Sequence, residues 1–507
     1  MNAAGSFLAA LLFVMLSGAV RAEDGHWLKA ESTRFVVYSR AREEVLRKTV
    51  LDLEAYDRAM AALTGLKSDA PAPKLDVYLV RNDRELEEAV PGVPKHVAGL
   101  YSAEAEMVAA LAVFDRDDGP GDLGGVETLH HEYAHHFMRQ HSSAAYPTWY
   151  VEGFAEYFAP TEIKDDFVAI GVIPDYRAAE LVYRTWLPLQ TVLFQSVWAV
   201  PEQSRSQFYG QSWLLTHYLF EKEERRQKLV RYMAALNDGT APLTAFRAAF
   251  GMEVEALDAE LRAYAKGKIG FYRLARSELG GVAPSVTVTR LSRAYDDLIL
   301  LDFRLKSGLA PDDVDKTLKE IREQAAAYPD DPFARSVLAR AEIFHGNASV
   351  GEGIADAALK TAPNDPDWLY VKGIALLRLG YQNEAGRAQL YKDGRRCLAI
   401  ANRIRPNHVP TLYRYARSFF GAPDEPSENT TNILFQAAQL SPQINELVIT
   451  TGYALMVRGD FGSAMQLLKP LANAPHGGKL SEKARVLLGF AEQKQLPVST
   501  ASQLSNP

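Results

Sequence analysis

The sequence predicts an α+β N-terminal domain followed by an all-α solenoid of paired helices. Three observations carry that expectation. Between about residues 27 and 275, short alternating apolar runs lie between stretches of helical period. The segment Gly280 to Pro284 then breaks the pattern with Gly and Pro. Beyond it nearly every stretch has helical period, and prolines recur at intervals near 34 residues. A chain of 507 residues has room for two or three domains, and its 47% hydrophobic and 23% charged content is that of a folded chain.

Taken in order, residues 5–20 form an apolar stretch too short to span a membrane comfortably, followed by a small-x-small site at Val20, Arg21 and Ala22. A secretory signal over residues 1–22 is expected, and with it a secreted or periplasmic protein. Anchorage through an uncleaved signal is the alternative. The full chain carries 56 basic and 63 acidic residues, net −7, and loss of Arg21 with the signal would make it −8. With no long run of either sign, that balance argues against nucleic-acid binding as the main activity. No later stretch has about 18 uninterrupted apolar residues, so no membrane span is expected once the signal is removed. Cys397 is alone, which excludes an intramolecular disulfide and a cysteine-ligated zinc cluster.

The alternating runs Thr33 to Ser39, Lys74 to Val80 and Glu106 to Phe114 are the strand candidates. The expected boundaries are an N-terminal domain over 23–279, a linker over 280–291, helical repeats over 292–496 and a tail over 497–507.

Chemistry concentrates between residues 126 and 158. His131, Glu132 and His135 form an H-E-x-x-H motif without Gly or Pro, and Val126, Leu129, Tyr133 and Phe137 have helical spacing. On a helix, residues four apart share a face, so both imidazoles can turn toward one metal ion with Glu132 beside them. After sixteen intervening residues, Glu152 stands in a second short helical stretch in which Glu156 shares its face, which makes a third ligand available. His130, His136 and His141 are expected to pack or face solvent, and Trp149 and Phe154 to anchor the second helix in the core. Asp118 to Asp122 reads as a loop just before the first of these helices.

These two motifs together resemble the gluzincin metallopeptidases, in particular their peptidase MA-like bacterial relatives. The resemblance implies a zincin-like fold and one zinc ion, with His131, His135 and the Glu152 of Glu152-Gly153-Phe154-Ala155 as its ligands. It also implies Glu132 as the general base acting on water, and Glu156 as the carboxylate that orients a ligating histidine. From the aminopeptidase-type branch it implies Tyr209 as a hydrogen-bond donor to the oxyanion. That branch's G-x-M-E-N motif is absent from Gly99 to Met107, which counts against an aminopeptidase. The stretch Glu106 to Phe114 is the expected edge strand for pairing with an extended peptide.

In the second half, Pro329 and Pro363 are 34 residues apart, as are Pro332 and Pro366, while Pro406 to Pro442 is 36 and Pro442 to Pro475 is 33. Gly346, Gly373, Gly380, Gly452, Gly459 and Ala464 recur around them. The pattern resembles the tetratricopeptide repeat, in which small residues let paired helices approach, and it implies a concave surface for a protein partner or a peptide. The interval of 43 from Pro363 to Pro406 places about nine extra residues near Arg387 to Arg395. The expected function is an exported zinc metallopeptidase acting on peptide or protein substrates. A periplasmic repeat scaffold with a catalytically inactive zincin-like domain is the alternative.

Overall fold

The computed structural model describes residues 25–66, 72–94, 97–114, 125–280, 284–421, 425–474 and 478–497. The expected signal over 1–22, the loop Asp118 to Asp122 and residues 498–507 of the expected tail lie outside these.

The chain opens with β1 (Leu28–Glu31), β2 (Phe35–Ser39), the long helix α1 (Glu43–Thr64), β3 (Leu75–Val80), the short α2 (Asp83–Ala89) and the hairpin β4 (Gly99–Glu104) and β5 (Met107–Val113). There follow α3 (Gly125–His141), α4 (Thr148–Phe158), β6 (Glu162–Ile163), β7 (Phe167–Ile170), α5 (Asp175–Tyr183), α6 (Leu189–Phe194) and α7 (Arg205–Glu221). Next are α8 (Glu223–Asn237), α9 (Pro242–Phe250), α10 (Val254–Ala265), β8 (Tyr272–Ala275) and β9 (Thr287–Arg290).

Six strands form one mixed sheet in the order β4-β5-β3-β2-β1-β9, and β6, β7 and β8 form a second, smaller one. The period-2 alternation of β3 and β5 gives the large sheet two buried faces. On one, Val77, Leu79, Ala110 and Ala112 meet Val50, Leu53 and Tyr56 of α1 and Leu129, Tyr133 and Phe137 of α3. On the other, Tyr78, Val80 and Leu111 meet Leu86 of α2 and Phe303 of the first repeat helix.

Two expectations need correction. The stretch Glu106 to Phe114 is not an edge strand: β5 lies between β3 and β4, because the chain reverses at Ala105 and Glu106 and pairs β4 along it antiparallel. The edge belongs to β4. Nor is 280–291 merely a linker. Residues 281–283 of that stretch lie outside the described residues, but Thr287 to Arg290 pair with β1 as β9 and complete the first domain's sheet.

Beyond β9 the chain is helical: α11 (Arg293–Lys306), α12 (Val314–Ala326), α13 (Pro332–His345), α14 (Ala348–Thr361), α15 (Pro366–Gln382), α16 (Arg387–Ile404), α17 (Val409–Arg417), α18 (Glu428–Leu440), α19 (Asn445–Val457), α20 (Phe461–Ala472) and α21 (Gly478–Glu492). The 34-residue proline spacing has a simple cause. Asp331 and Asp365 cap α13 and α15, each accepting two backbone N–H groups, and Pro332 and Pro366 occupy the first helical position, where no N–H is needed. Gly373 lies against Leu398 and Gly394, and Gly452 against Leu468, so the small residues do permit close helix pairing. The extra residues of the irregular repeat lengthen its hairpin: α15 and α16 have 17 and 18 residues, against 14 each for α13 and α14.

The two halves are joined by buried polar contacts. Glu106, at the β4–β5 turn, accepts from Tyr370 at 2.7 Å and from Arg414 at 2.9 and 3.0 Å. Among the described residues no helix is long and apolar enough to cross a membrane.

Candidate metal centre

Helix α3 is held at several points. Tyr133, inside the H-E-x-x-H stretch, donates to Asp57 of α1 at 2.7 Å, and Asp57 in turn pairs with Arg34 at 2.8 Å. Tyr56 donates to the carbonyls of His130 and Phe158 at 3.0 and 3.1 Å, tying α1 to both site helices. Leu129, Tyr133 and Phe137 form the buried stripe, as their spacing predicts; Val126, in the first turn, is exposed.

Helix α4 lies between α3 and α7, with Trp149 and Phe154 fully buried. Gly153 makes this packing possible, because a Cβ there would stand 2.4 Å from the Ser212 carbonyl oxygen and 2.3 Å from Thr216 Oγ1 on α7. The close crossing turns Glu152 and Glu156 inward, and both are wholly excluded from solvent.

The result is a convergent donor set. His131 Nε2 and His135 Nε2 are 3.1 Å apart, and Glu152 Oε2 is 3.7 Å from each. Zinc bonds to N and O of about 2.0–2.1 Å correspond to ligand separations of roughly 3.3 Å in a tetrahedron, so this triangle is the right size for one ion. The chemistry fits as well, since two imidazoles and a carboxylate are a borderline N/O set suited to Zn²⁺.

Glu156 faces His131 from the other side, with Oε1 3.8 Å from Nδ1, a little beyond hydrogen-bond length. The bidentate partner of that carboxylate is Arg177 of α5, which donates to its two oxygens at 2.5 and 3.0 Å. Arg177 also lies over the Tyr209 ring, 5.1 Å from its centroid. Burial, followed by the charges of Glu152 and Glu156, pushes the Tyr209 phenol pKa upward, which keeps it a proton donor. Tyr209 thus lies in the first turns of α7, joined to Glu156 through Arg177. Arg177 has no signal in the sequence: no spacing connects position 177 with 156, and the two meet only because α5 packs on α7.

The neighbouring histidines are structural. His130 donates to the Ala159 carbonyl at 3.2 Å and stacks on Tyr56, while His136 shares a 2.8 Å hydrogen bond with Tyr101 of β4. Burial lowers both pKa values, to about 4 and about 3, so both rings are neutral at physiological pH. His141 packs on Phe137.

Glu132 and His135 open onto a cleft of about 660 Å³. One wall is β4 with Met138 and Arg139 of α3, and the opposite wall is built by Gln443, Val448, Leu467 and Pro470 of the repeats. A second cavity of about 870 Å³ adjoins it, with Tyr146, Asn473 and Ala474 lining both.

Residues 125–243 match a family described as a protein of unknown function, DUF1570. That span runs from the start of α3 into α9 and contains every candidate site residue. Among solved structures, a thermophilic TPR protein of Thermus thermophilus is similar at 20% identity, over 34% of this chain and 90% of that one, with a TM-score of 0.31. No curated protein matches the chain.

Proposed function

We propose that this chain is an exported zinc-dependent peptidase of the gluzincin type, with a zincin-like catalytic domain and helical repeats that bind substrate or a protein partner. The observation that carries the reading is the convergence of His131, His135 and Glu152 within one ion's reach, with Glu132 on the adjoining cleft. A zinc ion held by these three residues would supply Lewis acidity and make water acidic enough to lose a proton near neutral pH. Glu132 accepts that proton and returns it to the leaving amine, so that the peptide bond is replaced by a carboxylate and an amine. Tyr209 donates a hydrogen bond to the carbonyl oxygen as charge develops on it. Arg177 holds Glu156, and Glu156 in turn biases His131 toward presenting Nε2 to the ligand triangle.

The test is zinc stoichiometry together with peptide-library cleavage, for wild type beside Glu132→Gln. The expected result is one zinc per chain in both and cleavage by wild type alone. Equal cleavage by both proteins would refute the role of Glu132. Zinc bound with no cleavage by either would refute the peptidase reading and leave the repeat scaffold.

A further inference from the structure

The helix that carries the two histidines also carries an arginine into the cleft. Arg139 follows His135 by four residues and so lies on the same face of α3, in its last turn. Its guanidinium is held rigidly by the repeats, with Nη1 donating to Asn445 Oδ1 at 2.8 Å and Nη2 to the Pro442 carbonyl at 2.7 Å. Gln140 and Gln443, hydrogen-bonded at 2.7 Å, brace the same junction.

Both acceptors of Arg139 are neutral. Among the described residues no carboxylate lies within ion-pair distance of it, whereas Arg177 and Arg414 each meet a buried glutamate. The carbonyls at the end of α3 offset part of its charge, but dipoles do not replace a counter-ion. Of the acids that line the cleft, Glu132 stands two turns back along α3, and Glu104, the last residue of β4, has its carboxyl near Glu446 and makes no ion pair with Arg139. The cleft therefore holds a preorganised cation in a setting where anions are favoured, and a planar guanidinium suits a carboxylate best.

We infer that Arg139 recognises a carboxylate of the bound peptide, either the C-terminal α-carboxylate or an Asp or Glu side chain. The reading of the cleft as a peptide site, on which this inference rests, supplies only the ligand's class. Helical rise puts Arg139 about 6 Å beyond His135 and about 10 Å beyond Glu132, the length of roughly two to three residues of extended chain. The carboxylate thus belongs two or three residues from the bond that is cut. Strand β4 lines the cleft along its length and has no strand beyond it among the described residues, so it can pair with the intervening backbone. Met138, Val448, Leu467 and Pro470 provide the apolar seat between. Because Asn445 and Pro442 aim the guanidinium, the repeats set specificity inside the cleft as well as offering a surface outside it.

The experiment measures anisotropy of a fluorescein-labelled alanine- and leucine-based hexapeptide in the zinc-loaded Glu132→Gln full-length protein, where turnover is blocked. Three forms are compared: the free acid, the C-terminal amide, and the amide with Asp third from the end. The free acid, the Asp amide or both should bind at least about tenfold more tightly than the plain amide. In Glu132→Gln/Arg139→Gln that ratio should fall to within about twofold, and Arg139→Lys should restore part of it. A preference for the free acid alone identifies the C-terminus as the source, and equal gains identify any nearby carboxylate. Equal binding of all three forms, a preference that survives Arg139→Gln, or no binding of any form overturns the inference. Wild-type cleavage of the same peptides is scored separately. Discrimination without cleavage refutes the peptidase reading alone, and cleavage without discrimination refutes only the role of Arg139.

Discussion

Gly153→Ala puts a methyl group where α4 and α7 cross. Its Cβ would lie 2.4 Å from Ser212 O and 2.3 Å from Thr216 Oγ1, about 1 Å inside ordinary contact of 3.4–4 Å. The Ser212 oxygen is helix backbone and cannot swing aside, so the helices must part by most of that distance. Overpacking of this kind costs about 1–3 kcal/mol, against a gain of about 1 kcal/mol from replacing Gly inside a helix, which leaves a net loss of roughly 0–2 kcal/mol. Stability is therefore a weak readout, and ligand geometry is the sensitive one. Glu152 is the preceding residue, and a metal site tolerates errors of only about 0.2 Å in its ligand distances. The expected result is a zinc affinity lower by tenfold or more, measured by competition with a chromophoric chelator, with the melting temperature of the zinc-free protein lowered only slightly. Adding Thr216→Ala should recover part of the loss, since it removes one of the two clashes. Zinc affinity within threefold of wild type would refute the argument that the close crossing positions Glu152.

Tyr209→Phe should lower kcat by about 10²–10³-fold and leave KM within a few-fold, because the hydrogen bond forms only in the transition state. A change in KM alone would make Tyr209 a packing residue. Arg177→Met strips the bidentate partner from the fully buried Glu156 and should cost about 3–5 kcal/mol in urea unfolding of the zinc-free protein, with Arg177→Lys recovering only part. Glu106→Ala should cost about 3 kcal/mol, the low end for a broken buried pair because the Arg414 side chain is 21% exposed, and small-angle scattering should register the loosened halves. For Glu106 burial pushes the pKa up, but Arg414 and Tyr370 pull harder and hold it below the ordinary 4.5. The folded state then binds fewer protons than the unfolded one, so this stabilisation is present above about pH 4.5 and fades as pH falls through the lowered value. Thermal unfolding should accordingly find wild type and Glu106→Gln far apart at pH 7 and converging as pH falls through that lowered value.

What the sequence makes legible is local. The strands over residues 35–39, 75–80 and 107–113 follow from period-2 alternation, and the repeats show in the proline spacing near 34 residues, which the structure traces to the Asp331 and Asp365 caps. The candidate site was legible for the same reason. Helix geometry alone puts His131 beside His135 and Glu152 beside Glu156. Features that depend on which elements become neighbours were read less well. Both β4 and β5 can form strands, and only their hairpin shows which one is the edge. A Gly/Pro break resembles a linker whether or not the following residues return to an earlier strand, as Thr287 to Arg290 do.

From the order of residues alone come the candidate ligands, the candidate general base and the repeating helical units, because covalent spacing on a helix leaves little freedom in where those side chains point. Packing in three dimensions was needed to show that Arg177 secures Glu156, that β4 borders the cleft, and that Arg139 is aimed by Asn445 and Pro442 from some 300 positions away. Such contacts arise between distant elements. They have no periodicity in the chain, and so leave no local pattern to read.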